Sequence, residues 1–135
     1  LAELAQTPDG LRQIDAMAAP LVGLVPFPYL MPGAQPYTYA PKERIHVSET
    51  RPWSPTSSIA DAWQLRTAMA ARNWHTQDRL TDFGWERGNF GYSVWFEQWH
   101  GGDKECHHYH VRDASDAPLA ITIAALLAVE KKEKA

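Results

Sequence analysis

Apolar positions change their spacing several times along the chain, and each change marks the edge of an element. Leu11, Ile14 and Met17 recur at helical spacing behind Thr7-Pro8-Asp9, which supply a capping hydroxyl, a proline suited to the first helical position and an early acid. This predicts a helix over 8–19, and Pro20, which lacks an amide proton, is expected to end or kink it. Ile59, Ala62, Trp63, Leu65, Met69 and Ala70 make a second, broader apolar face, with Arg66 and Arg72 turned away from it. Ser58 and Asp61 stand at capping-box spacing in front, with Asp in place of Glu, and Asn73 readily takes the left-handed conformation that closes a helix. The second helix therefore spans 59–72.

Past Asn73 the period becomes extended, predicting strands over 74–80, 92–100 and 106–112. Tyr92, Val94 and Phe96 share one face while Trp95 and Trp99 share the other, a pattern that asks for cover on both sides. Gly84, Gly88 and Gly91 mark a turn region over 81–91, and Gly101-Gly102-Asp103-Lys104 has the residues of a hairpin turn. The last helix starts after Ser115-Asp116 with Pro118 near its first position. Leu119, Ile123, Leu126 and Leu127 form its large apolar stripe, Ala120, Ala124 and Ala128 a small-residue face, and Lys131, Lys132 and Lys134 complement the dipole at its end.

Between the first two helices, 20–55 holds eight of the ten prolines, interleaved with Phe27, Tyr29, Tyr37, Tyr39 and Trp53. That is too aromatic for a disordered linker and predicts an ordered extended arm, with a short strand over 44–48. The arm serves either as a cover for the domain or as a partner-binding surface built on Tyr29, Tyr37, Tyr39 and Trp53. The whole reads as one α+β domain over 1–135, a small antiparallel sheet covered by helices on both faces, an α/β/α sandwich.

Composition narrows the partners. With 135 residues, 44% hydrophobic, the chain is long enough for one buried core, and a net charge of -3 leaves no electrostatic footprint for nucleic acid or an anionic membrane. The longest apolar run, Ala117 to Val129, is too short to cross a bilayer, and no signal-peptide pattern opens the chain. A lone cysteine, Cys106, allows no internal disulfide and fits a reducing compartment, so a soluble cytoplasmic protein is expected.

The densest chemistry is Cys106-His107-His108-Tyr109-His110, with His100 across the turn. On a strand, Cys106, His108 and His110 share a face and offer a thiolate and two imidazoles, donors that zinc accepts, with His100 as a further ligand if the register allows. Side chains two apart on a strand stand about 6–7 Å from each other, so convergence requires a bulge or strong twist. The alternative is a polar strand face with hydrogen-bonded histidines. Cys106 and His107 have the types of a nucleophile and its base, but adjacent strand residues face opposite ways. Asp78, Asp82, Glu86 and Glu97 form no acid/base pair by spacing, and no glycine loop has the form of a phosphate cradle, so no catalytic set is read.

Ser58-Ile59-Ala60-Asp61-Ala62-Trp63, the run from Ala114 to Ile121, and Ala124-Ala125-Leu126 with Ala128-Val129-Glu130 resemble the phage ABA sandwich domain family, small bacteriophage and prophage proteins with a sheet between helical layers. Ile14-Asp15-Ala16 and Val22-Gly23 are similar to its N-terminal helix. The proline-rich arm and the Cys106 to His110 cluster depart from it, and the resemblance carries no catalytic residue. It implies a phage accessory protein in the cytoplasm of an infected bacterium. The expected function is non-enzymatic binding, with a host protein of an antiviral defence as the partner. A small-molecule or zinc-binding protein using the His- and Trp-rich sheet is the second reading. A homo-oligomer packed through Ala120, Ala124 and Ala128 is the third.

Overall fold

A computed structural model describes residues 3–26, 38–42, 51–82 and 90–134. The expected strand over 44–48, most of the turn region over 81–91, and Phe27, Tyr29 and Tyr37 lie outside the described residues.

Helix α1, Pro8–Ala18, begins as its sequence dictates: the Thr7 side chain accepts the Gly10 N–H at 3.0 Å. Pro20 does not break the chain's direction at once, because a 3₁₀ turn over Ala19–Val22 carries on from α1 and stops at Gly23 with a φ of 73°. Three short strands follow, β1 (Leu24–Pro26), β2 (Thr38–Pro41) and β3 (Arg51–Pro52), antiparallel in the order β1-β2-β3. The arm is thus partly a small sheet, and its prolines at 26, 41 and 52 end the strands, where a missing N–H removes least.

Helix α2, Ile59–Ala71, is bounded by the two residues that sequence singles out. Ser58 Oγ accepts the Asp61 N–H, and Asn73, at a φ of 67°, closes the other end. There the Trp74 N–H donates to the Met69 carbonyl and the Asn73 N–H to that of Ala70, the paired bonds of a Schellman motif. Ala62, Leu65 and Met69 face the core, whereas Ile59 and Trp63, expected on the same apolar face, are half exposed. The buried stripe is narrower than the hydrophobic pattern.

Strands β4 (His75–Asp82), β5 (Phe90–His100) and β6 (Asp103–Val111) form the main sheet, antiparallel in that order. The β5–β6 turn holds only Gly101 and Gly102, because His100 pairs with Asp103. A positive φ at Gly101 alone is the pattern of a type II′ hairpin.

The final helix, α3 (Ala117–Lys134), lies against β5, β6, α1 and α2. Every residue from Ala120 to Leu126 is buried, and so is Ala128. Thr122 is accommodated because its hydroxyl donates to the Pro118 carbonyl at 2.8 Å. A helix apolar on all sides belongs inside, so the Ala120, Ala124 and Ala128 face is consumed within the chain and offers nothing to a second copy.

The class is α+β. Helices α2 and α3 pack on the sheet face that carries Tyr92, Val94 and Phe96. A second helical layer over the opposite face is not among the described elements. That face carries His75, Gln77 and Arg79 from β4 and Cys106, His108 and His110 from β6, all exposed and polar enough to remain in water. No helix among the described residues is long and apolar enough to cross a membrane.

Candidate functional site

Strand alternation and register decide what meets on the open face. Opposite β5 residues Ser93, Trp95 and Glu97 stand His110, His108 and Cys106 on one side and Arg79, Gln77 and His75 on the other. Trp95 is its centre: the His108 ring stacks on it with centroids 4.8 Å apart and planes 22° from parallel, and the Arg79 guanidinium lies 5.8 Å from its centroid. Trp99, 61% exposed, continues the face toward the turn, with Lys104 Nζ 5.9 Å from its ring. Lys104 also pairs with Glu97 at 3.3 Å. The face is an aromatic surface rimmed by Arg79, Lys104 and histidines.

The register divides the four residues of the zinc set read from sequence between the two faces of the sheet. Cys106, His108 and His110 share the open face, but His108 is engaged by Trp95, and His110 Nδ1 lies 2.6 Å from the Ser93 hydroxyl. His100 is on the other face altogether, since a two-residue turn puts it in phase with Asp103, Glu105 and His107. Its Nε2 lies 2.9 Å from Glu105 Oε1, and His107 Nε2 lies 2.6 Å from Glu105 Oε2. These two contacts hold the Glu105 carboxyl below its ordinary value, the His107 bond first. Among the described residues, no three metal-binding side chains already surround one point.

Cys106 is exposed, yet partial burial of its thiol and then the Glu97 carboxylate push its pKa up, away from a thiolate nucleophile or ligand. The arm residues are also reassigned. Tyr39 and Trp53 are 1% and 2% exposed and pack edge to face at 5.7 Å, so they serve the core and present no surface to a partner. Trp53 Nε1–H is satisfied by Gln64 Oε1 at 3.1 Å.

Sequence reasoning also passes over Asp15, buried in α1, whose carboxylate accepts the Thr56 N–H and the Ser54 hydroxyl. Burial, the largest influence, raises its pKa. It borders a pocket of about 450 Å³ with Leu11, Arg12, Trp53 and Asp61. Its position between two apolar residues of α1 was the available signal. On the far edge of the main sheet, α2 and β4 enclose a groove of about 650 Å³ floored by Ala70, Trp74 and Thr76. Trp63 stands at its rim under the Arg66 guanidinium, 4.5 Å from the ring centroid.

No family model, curated protein or solved structure matches the chain.

Proposed function

We propose that this chain is a binding protein that acts without catalysis, and that it takes a protein partner on the open face of the β4–β6 sheet. One observation carries the reading: Trp99 stands 61% exposed beside a half-buried, stacked Trp95, on the sheet face opposite the core. Exposed tryptophan on a rigid support is costly in water and is the residue type most enriched at binding hot spots. Arg79 and Lys104 are cations on it, and Glu97, its one carboxylate among the described residues, is engaged by Lys104. The complement is a protein surface with an apolar centre and an acidic rim. The sequence resemblance to phage proteins extends the proposal to a host partner, with an antiviral defence component as the class to test first.

The test is retention of a purified candidate partner by the wild-type chain, by Trp99→Ser and by Trp63→Ser. Loss with Trp99→Ser and retention with Trp63→Ser supports the reading, because Trp63 is exposed on α2, away from this face. Equal retention by all three, or loss only with Trp63→Ser, removes it.

A further inference from the structure

We infer that the free edge of β4 binds an extended, acidic segment of a protein partner by strand addition, along the groove between β4 and α2. This is a second site, independent of the open-face reading, because it uses the backbone of β4 and the Trp63 side of the molecule and neither Trp95 nor Trp99.

Strand β4 ends the main sheet, since the order β4-β5-β6 leaves it paired on one side only. Its eight residues pair with β5 without interruption, from His75 opposite Glu97 to Asp82 opposite Phe90. The edge is therefore long and regular, with neither a bulge nor a proline to blunt it. The N–H and C=O groups that alternate residues turn outward have no strand beside them among the described elements. His75, Gln77, Asp78, Arg79 and Leu80 are all exposed along it.

The groove of about 650 Å³ follows this edge. His75 and Thr76 both line it, although consecutive strand residues point to opposite faces, so the cavity runs past the edge of the strand and is not confined to one face. Its helix wall is Trp63, Arg66, Thr67 and Ala70. Trp63 is half exposed there, with the Arg66 guanidinium 4.5 Å from its ring centroid. An added strand finds backbone partners on β4 and an apolar wall for its alternate side chains, the two contributions that strand addition combines.

Charge decides the occupant. On the helix side of the edge, the Asp78 carboxylate is engaged by Arg66 at 3.3 Å and by the Tyr92 hydroxyl at 2.9 Å, and Leu80 beyond it is 62% exposed. On the open side, His75 and Arg79 flank Gln77, with no carboxylate between them. A strand that alternates apolar and acidic residues, apolar toward Trp63 and Leu80 and acidic toward Arg79, matches both sides. A second copy of the chain does not. Antiparallel pairing of β4 with itself keeps each side chain on its own face, and the two registers of longest overlap then set Asp78 against Asp78 or Arg79 against Arg79.

The test is fluorescence anisotropy with a labelled octapeptide of alternating valine and glutamate. The expected result is saturable binding that weakens at least tenfold when lysine replaces glutamate in the peptide, and at least tenfold in Trp63→Ser. Arg79→Glu should narrow the preference for glutamate over lysine at least threefold. Trp99→Ser should leave binding unchanged, so this site and the open-face site fail separately. Methylating the peptide's backbone nitrogens at one alternate set of residues should abolish binding, and at the other set should spare it, because only one set faces the edge. Trp63 is exposed enough for its variant to fold, and circular dichroism checks each protein. Absence of saturable binding overturns the proposal. So do equal effects of the two methylated peptides, loss in Trp99→Ser alone, or a dimer in light scattering that the peptide breaks, since the edge then belongs to a second copy.

Discussion

Asp15 Oδ1 accepts the backbone N–H of Thr56 at 3.0 Å across 41 positions of sequence, tying α1 to the segment that launches α2. Its second oxygen takes the Ser54 hydroxyl at 2.8 Å, and Ser54 in turn donates its backbone N–H to Asp61 Oδ2 at 2.9 Å. Asp15→Ala leaves a buried N–H without a partner and is expected to cost about 2–3 kcal/mol, measured by urea unfolding. Burial raises the folded-state pKa, so Asp15 favours the fold most when protonated. That contribution is complete below its unfolded value and is lost as pH rises through the raised one. Asp15→Asn should flatten this part of the stability profile; an unchanged profile would show that the carboxylate is not the source.

Glu105 has the opposite sign. Its folded-state pKa is lowered from 4.5, so its stabilisation is present above that value and disappears as pH falls through the lowered one. Glu105→Gln should lower the unfolding midpoint near neutral pH, and the gap to wild type should close in acid. A gap that widens in acid contradicts the assignment of Glu105 as the acceptor between two imidazoles.

Gly101 and Gly10 are needed for different reasons. At a φ of 65° with open space around it, Gly101→Ala should cost about 1 kcal/mol through backbone strain alone, while Gly102→Ala, at an unstrained φ, should cost little. A Cβ at Gly10 would stand 1.8 Å from the Leu4 carbonyl oxygen, so Gly10→Ala must push the 3₁₀ turn over Leu4–Gln6, just ahead of α1, off the helix. Thermal unfolding of the three variants should rank Gly10→Ala as the most damaging.

Cys106 should react slowly with iodoacetamide at neutral pH despite its exposure, because partial burial and the Glu97 charge keep the thiol protonated. Glu97→Gln should speed the reaction. A rate equal to that of free cysteine in the wild type would refute this.

Phe96→Ala, in the core, should cost about 3–5 kcal/mol. Trp99→Ser, on the open face, should change stability by no more than about 0.5 kcal/mol, leaving binding as the property it alters.

Local signals are what the sequence made legible. Thr7, Ser58 and Asn73 bound their helices because a hydroxyl or a left-handed residue acts on its own neighbours, and Gly101-Gly102 specifies a turn in the same way. Burial was read less well: Trp63 and Ile59 look like core residues by period, yet the partner helix covers only a narrow stripe of α2. Within the candidate zinc set, the place of His100 turns on a single count of turn residues. With two residues in the turn, His100 moves out of phase with Cys106 and into phase with Glu105, and strand chemistry alone cannot supply that number. Asp15 was hidden because its partners lie on a segment that only tertiary structure brings near.

The burial of α3 bears on how the chain is made. Helices α1 and α2 and strands β5 and β6 all contact α3, an element that follows them in the sequence, so during synthesis each leaves the ribosome before that neighbour exists. The hairpin can pair locally in that interval, but the core cluster that holds Ile14, Leu65 and Phe96 also includes α3 residues and is incomplete until they emerge. Completion of the core therefore waits on α3, and until then the apolar surface it will cover is open to wrong partners.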